Sequence, residues 1–131
     1  VDSLKWFLDW KYFGKAGFAR RVESAFELCC HAERIVRETD DLELVLPRNS
    51  FNICFRYRGS GEKKDVDELN LAIRQKLYHD GTSLVGFAYH GERPFLRLLL
   101  ANHDLSFEDV NEYLKNVVST GKTLEEKFHD C

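Results

Sequence analysis

Phe95-Leu96-Arg97-Leu98-Leu99-Leu100-Ala101 is a short apolar run with Pro94 before it and Asn102-His103-Asp104 after it. Its length, its β-compatible side chains and its polar boundaries predict a strand. Alternation puts Leu96, Leu98 and Leu100 on one face and Phe95, Arg97, Leu99 and Ala101 on the other. The leucine face needs a core. The other face carries a guanidinium among apolar neighbours, which costs desolvation unless an anion answers it. Two readings follow for Arg97. Either it pairs with an acidic side chain of its own chain, or its planar fork receives the carboxylate of a ligand.

The strands around this run set the fold class. His90-Gly91-Glu92-Arg93 turns a strand over Ser83–Tyr89 back into the Arg97 strand as an antiparallel hairpin. Upstream, Leu42–Leu46 is a strand stopped by Pro47. Phe51–Arg58 is another, with Phe51, Ile53, Phe55 and Tyr57 on one face and Asn52, Cys54, Arg56 and Arg58 on the other. Helices fill the rest. Val1–Phe13 is apolar nearly all round: Leu4, Phe7 and Leu8 form one stripe, and Trp6, Trp10 and Phe13 another. After Gly14 and Gly17 a long helix runs to about Glu38, with Phe18, Val22, Ala25, Cys29, Ala32 and Val36 as its buried stripe. Asp65 is expected to cap the next helix with Glu68 in capping-box register, over a stripe of Val66, Leu69, Ala72, Ile73 and Leu77, ended by Gly81. Ser106 and Asp109 cap the last one, where Leu105 and Val110 form a staple and Phe107, Val110, Leu114, Val117 and Val118 the core stripe. Gly121 is expected to stop it, leaving residues 122–131 as a short end. The predicted fold is α/β (α+β), with a mostly antiparallel four-stranded sheet, helices on one face and order ααββαββα.

Length and composition narrow the functional classes. The 131 residues suffice for one domain with a modest core. A formal net charge of −3 argues against general affinity for nucleic acid or anionic membranes. No apolar run approaches the ~20 residues that span a bilayer. Of the four cysteines, Cys29 and Cys30 are adjacent and Cys131 is terminal, which fits reduced thiols in a cytosolic protein. The chain starts at Val1, inside helical pattern and without Met, as expected of a piece of a longer protein.

Other constellations read as structural. Cys29-Cys30-His31 lacks a second ligand pair at zinc spacing. Gly59-Ser60-Gly61-Glu62-Lys63-Lys64 lacks the phosphate-loop pattern and does not sit between a parallel strand and its helix. Cys54 is expected to be a packed thiol and not a nucleophile, and His90 an exposed turn residue near the mouth of any Arg97 site. The Trp6, Trp10 and Phe13 stripe reads as an interface.

The ordered set of motifs resembles a family. Val1-Asp2-Ser3-Leu4-Lys5-Trp6, followed by Trp10-Lys11, is similar to the V-D-x-L-K…W-K stretch of group II pyridoxal-phosphate-dependent amino-acid decarboxylases, nearest their glutamate decarboxylase-like branch. Asn52-Ile53-Cys54-Phe55-Arg56-Tyr57 resembles that branch's N-V-C-F-W-Y strand. Gly81-Thr82-Ser83-Leu84-Val85-Gly86-Phe87, then Phe95-Leu96-Arg97 and Asn102, resembles its closing hairpin. Ser106-Phe107-Glu108-Asp109-Val110 resembles the start of its final helix. Arg56 stands where the branch often has Trp, and His103 where it often has Pro, so the substrate subclass stays open among glutamate, 2,4-diaminobutyrate, aspartate and cysteine sulfinate.

The resemblance implies the C-terminal small domain of a fold-type I enzyme, with residues 1–15 closing the large domain and residues 16–131 forming the small one. It implies a cytoplasmic homodimer that converts an L-amino acid to an amine and CO₂. Pyridoxal 5'-phosphate and its lysine would belong to the large domain, and no catalytic residue to this piece, which would be inactive alone. It also gives Arg97 the role of binding the substrate carboxylate. The alternative is a free-standing α/β regulatory or ligand-binding module.

Overall fold

Gly14 turns the first helical stretch sharply. It adopts φ 61° and ψ −177° inside α1 (Asp2–Glu38), a backbone conformation that suits a residue without Cβ. In an unbroken helix Trp6 and Phe18 would stand about 18 Å apart along the axis. Their rings lie 5.1 Å apart, and Trp10 also meets Phe18, at 5.5 Å. Limb 2–13 therefore doubles back along the start of limb 15–38. The computed structural model describes residues 2–129, so Val1 and the thiol of Cys131 lie outside the described residues.

After α1 come β1 (Leu42–Leu44), β2 (Asn52–Tyr57), α2 (Lys63–His79), β3 (Gly86–His90), β4 (Arg93–Leu99) and α3 (Phe107–His129). The four strands form one antiparallel sheet in the order β1-β2-β4-β3. Ile53, Phe55, Tyr57, Leu96 and Leu100 point to one face. There they meet Leu28, Cys29, Ala32 and Val36 of α1, Leu69, Ile73 and Leu77 of α2, and Val110, Leu114 and Val117 of α3. All three helices thus cover one face, as the alternation of the strands predicts.

Several boundaries and stripes differ from expectation for local reasons. Helix α2 begins at Lys63, because Val66 N–H already bonds Glu62 O; Glu62 is the N-cap without a side-chain bond, and Asp65 sits in the first turn instead of capping. Strand β3 begins at Gly86, because the N–H groups of Thr82 and Ser83 are spent on Leu77 O at the end of α2. Val22 is exposed instead of buried, and Leu28 takes the core position. Phe107 is half exposed and rests edge-on against His31. Gly121 does not end α3. A Cβ there would stand 2.7–2.9 Å from the ring of buried Tyr57, so this glycine lets helix and sheet approach closely. Tyr57 OH then donates to Glu125 Oε2 in the added turns.

One buried polar residue ties α2 to the sheet. Asn70 Oδ1 accepts Tyr57 N–H at 2.8 Å, and Asn70 Nδ2 donates to Tyr57 O at 2.9 Å and to Val66 O at 2.8 Å. The amide imitates a neighbouring strand beyond the last β2–β4 pair, Phe55↔Leu96. Among the described residues, no helix is long and apolar enough to cross a membrane.

Candidate functional site

The face of the sheet away from the helices is built by register. Gly86, Arg97 and Cys54 lie side by side across β3, β4 and β2, and Glu43 opposes Arg56 across β1 and β2. Two guanidiniums therefore share this face, in different circumstances. Arg56 is buried, with Nη1 3.3 Å from Glu43 Oε1 and its Nε without a partner. Arg97 is exposed, and among the described residues its side chain forms neither ion pair nor hydrogen bond. The acid opposite Arg56 is already engaged, and Arg58 and Arg93 of neighbouring strand ends bond Leu42 O and Asp67. Arg97 is thus a cation held in place by a strand and open to an outside anion.

The Arg97 head group lies across β3. An ideal Cβ on Gly86 would stand 3.7 Å from both Nε and Nη2 of Arg97. Any larger side chain at 86 would crowd the guanidinium. On the other side, burial pushes the Cys54 thiol above its usual pKa, while the nearby Arg97 charge pulls it back in part. The net direction keeps Cys54 protonated, as a packed thiol and not a nucleophile. His90 does not join the site. It lies four residues along β3 from Gly86, about 13 Å at strand rise, and is exposed at the opposite end.

The remaining sequence candidates scatter. Cys29 is buried in the core and Cys30 is exposed. His31 is held between Asn111 Oδ1 at 2.7 Å and Arg34 Nη2 at 3.0 Å. His103 meets Arg21 Nη2 at 3.1 Å and Asp104 at 3.2 Å. In the 59–64 loop, Ser60 is bound by the Glu125 carboxylate.

Comparison with known proteins adds the context. Cysteine sulfinic acid decarboxylase of Mus musculus is 29% identical over 134 residues, covering 95% of this chain. L-aspartate decarboxylase dtxS4 of Metarhizium robertsii is 30% identical over 130 residues, again covering 95%. The crystal structure of mouse CSAD superposes with a TM-score of 0.85 at 26% identity over 92% of the chain. Its homologues are group II pyridoxal-phosphate decarboxylases. The chain spans about a quarter of the length of these relatives, 26–28%. A structure of Oryza sativa TDC with PLP and tryptamine shares the fold at TM-score 0.84 and 24% identity, covering 91% of this chain and 26% of that one. No family model matches the chain.

Lys5 and Lys11 are on exposed limb 2–13. Lys115 and Lys122 border a groove of about 550 Å³ between α1 and α3, but Lys122 Nζ is 2.9 Å from Asp41 Oδ2, and neither histidine nor aromatic ring lines the groove to cover a pyridine ring. What the described residues do offer is the exposed Arg97 guanidinium, with no acid partner among them.

Proposed function

We propose that this chain is the carboxylate-reading part of a pyridoxal-phosphate-dependent decarboxylase of acidic amino acids, with Arg97 as the residue that receives a substrate carboxylate. The observation that carries this reading is the exposed Arg97 guanidinium on the helix-free face, with no acid partner among the described residues. The acid class follows the names of the relatives, which act on cysteine sulfinic acid and L-aspartate.

In this reading residues 1–15 close a large domain that holds the cofactor, and residues 16–131 form the small domain. A second subunit completes a cytoplasmic homodimer. The free thiols of Cys29, Cys30 and Cys54 support a reducing compartment, and the exposed apolar limb 2–13 supports the docking of a further domain. The bound cofactor supplies an electron sink for the carbon that loses CO₂. Arg97 gives two parallel N–H donors to a planar carboxylate, which fixes the substrate's orientation and balances its charge. A contact of this kind acts by positioning.

The test is Arg97→Ala in the full-length enzyme, measured as CO₂ release. The expected loss is on the order of 10²-fold, with Arg97→Lys keeping charge but not bidentate geometry and recovering only part. A near-normal rate in Arg97→Ala would return Arg97 to a structural role.

A further inference from the structure

Glu43 is the only acidic residue in the four strands, and it lies on the same face of the sheet as Arg97. The register fixes the spacing. Glu43 pairs with Arg56 across β1 and β2, while Arg97 pairs with Cys54, two residues from Arg56 on the same face. Arg56 and Arg97 are therefore diagonal neighbours, with Cα atoms about 7–8 Å apart. Glu43 stands one strand further out, about 12 Å from Arg97 at the backbone by strand spacing and rise. A carboxylate that arrives at Arg97 comes within the field of both.

Stability does not account for the Arg56–Glu43 pair. The Arg56 side chain is only 6% exposed, yet its acid contact is a 3.3 Å approach of Nη1, and Nε has no partner among the described residues. Glu43 is 40% exposed, so water can serve its carboxylate without help. A buried guanidinium so thinly satisfied is commonly no better than an apolar side chain of similar volume. What the pair does is balance charge. Arg58 is turned to Leu42 O and Arg93 to Asp67, which leaves Arg56 to answer Glu43. With Arg56 absent, the Glu43 charge would stand unanswered near the incoming acid. At about 12 Å, and with an effective dielectric between those of protein and water, its repulsion is about three- to tenfold in affinity.

We infer that Arg56 sets the affinity of Arg97 for acidic substrates by holding and neutralising Glu43, as a positioning residue that does not itself touch the substrate. This role rests on the reading of Arg97 as the group that receives the substrate carboxylate, so Arg97→Ala is measured beside it.

The test is steady-state CO₂ release by the full-length enzyme with L-aspartate and with cysteine sulfinic acid. Arg56→Met keeps the volume of the buried side chain and removes its charge. It is expected to raise KM three- to tenfold and leave kcat within about twofold. Adding Glu43→Gln to Arg56→Met is expected to bring KM back to within about twofold of the parent. A packing defect caused by Met would persist in the double variant, so this rescue separates charge from structure. The KM gap of Arg56→Met should also narrow as ionic strength rises from about 0.01 M to 0.15 M, because the Debye length falls from ~30 Å to ~8 Å. A parental KM in Arg56→Met, a raised KM that Glu43→Gln does not restore, a gap indifferent to salt, or a loss confined to kcat would overturn the role of Arg56 while Arg97→Ala remains impaired. Parental kinetics in Arg97→Ala, or a parent enzyme that releases CO₂ from neither acid, would instead remove the Arg97 reading and the role of Arg56 with it.

Discussion

The place of the Arg97 head group depends on what β3 lacks at Gly86. With 3.7 Å between a hypothetical Cβ and the guanidinium, an alanine at 86 makes ordinary van der Waals contact, whereas the branched carbons of valine push the head group aside. Gly86→Ala is therefore expected to keep near-parental CO₂ release in the full-length enzyme. Gly86→Val is expected to lose roughly tenfold or more, since displacement of a positioning group by about 1 Å is that costly. Equal rates for the two variants would show that the head group is not constrained by β3. Glu33 is a residue of a different sort. Hydrogen bonds from Arg37 and then Arg48 hold its carboxyl below the usual carboxylate range. A carboxyl depressed in the folded state adds stability above its unfolded pKa and loses it as pH falls through the folded value. Glu33→Gln is thus expected to lower the melting temperature at pH 7, and the gap to the parent should close as the pH is taken below about 4. A gap that persists in acid would assign the effect to packing.

Among the elements, α3 shows best how far local chemistry reaches. Ser106 and Asp109 form the expected reciprocal cap: Asp109 Oδ2 accepts Ser106 N–H at 2.7 Å, and Asp109 N–H donates to Ser106 Oγ at 3.2 Å. A cap is written in four consecutive residues, so it is legible without tertiary information. The far end of α3 is not. Gly121 carries the same local signal as Gly81, which does follow the end of α2 with φ 68°. What separates them is Tyr57, sixty-four positions upstream in the chain, whose ring occupies the space of a Cβ at 121. Gly121→Ala is expected to destabilise the fold by about 1–3 kcal/mol through overpacking against Tyr57, read from chemical denaturation. An unchanged midpoint would mean that the ring yields freely. The strands divide in the same way. Alternation shows which residues face the core and that Arg97 faces away from it. It cannot show that Glu43 is engaged by Arg56 and not by Arg97, because that depends on which strands become neighbours. Asn70 was equally invisible, since an asparagine inside a helical stripe looks like an interruption until its strand partner is known.

At the scale of the whole molecule the dominant feature is imbalance. Limbs and sheet share one core on the helical face, while limb 2–13 keeps Leu4, Trp6, Phe7, Leu8 and Tyr12 more than half exposed. Contiguous apolar surface of this kind is seldom left open to water in a monomer. The 131-residue chain by itself is expected to self-associate with rising concentration in sedimentation experiments, and a version lacking residues 1–13 is expected to remain monomeric. Self-association that is unaffected by the deletion would shift attention to the edge strand β3.

The amide of Asn70 gives the sheet and α2 a common fate. Because one side chain completes both backbone groups of Tyr57, the corner of the sheet cannot fray while α2 stays docked, and α2 cannot lift without exposing two orphaned peptide groups in the interior. Opening at that corner is expected to be cooperative, with the amides of Tyr57 and of the α2 turn around Asn70 exchanging with solvent together in hydrogen-exchange measurements.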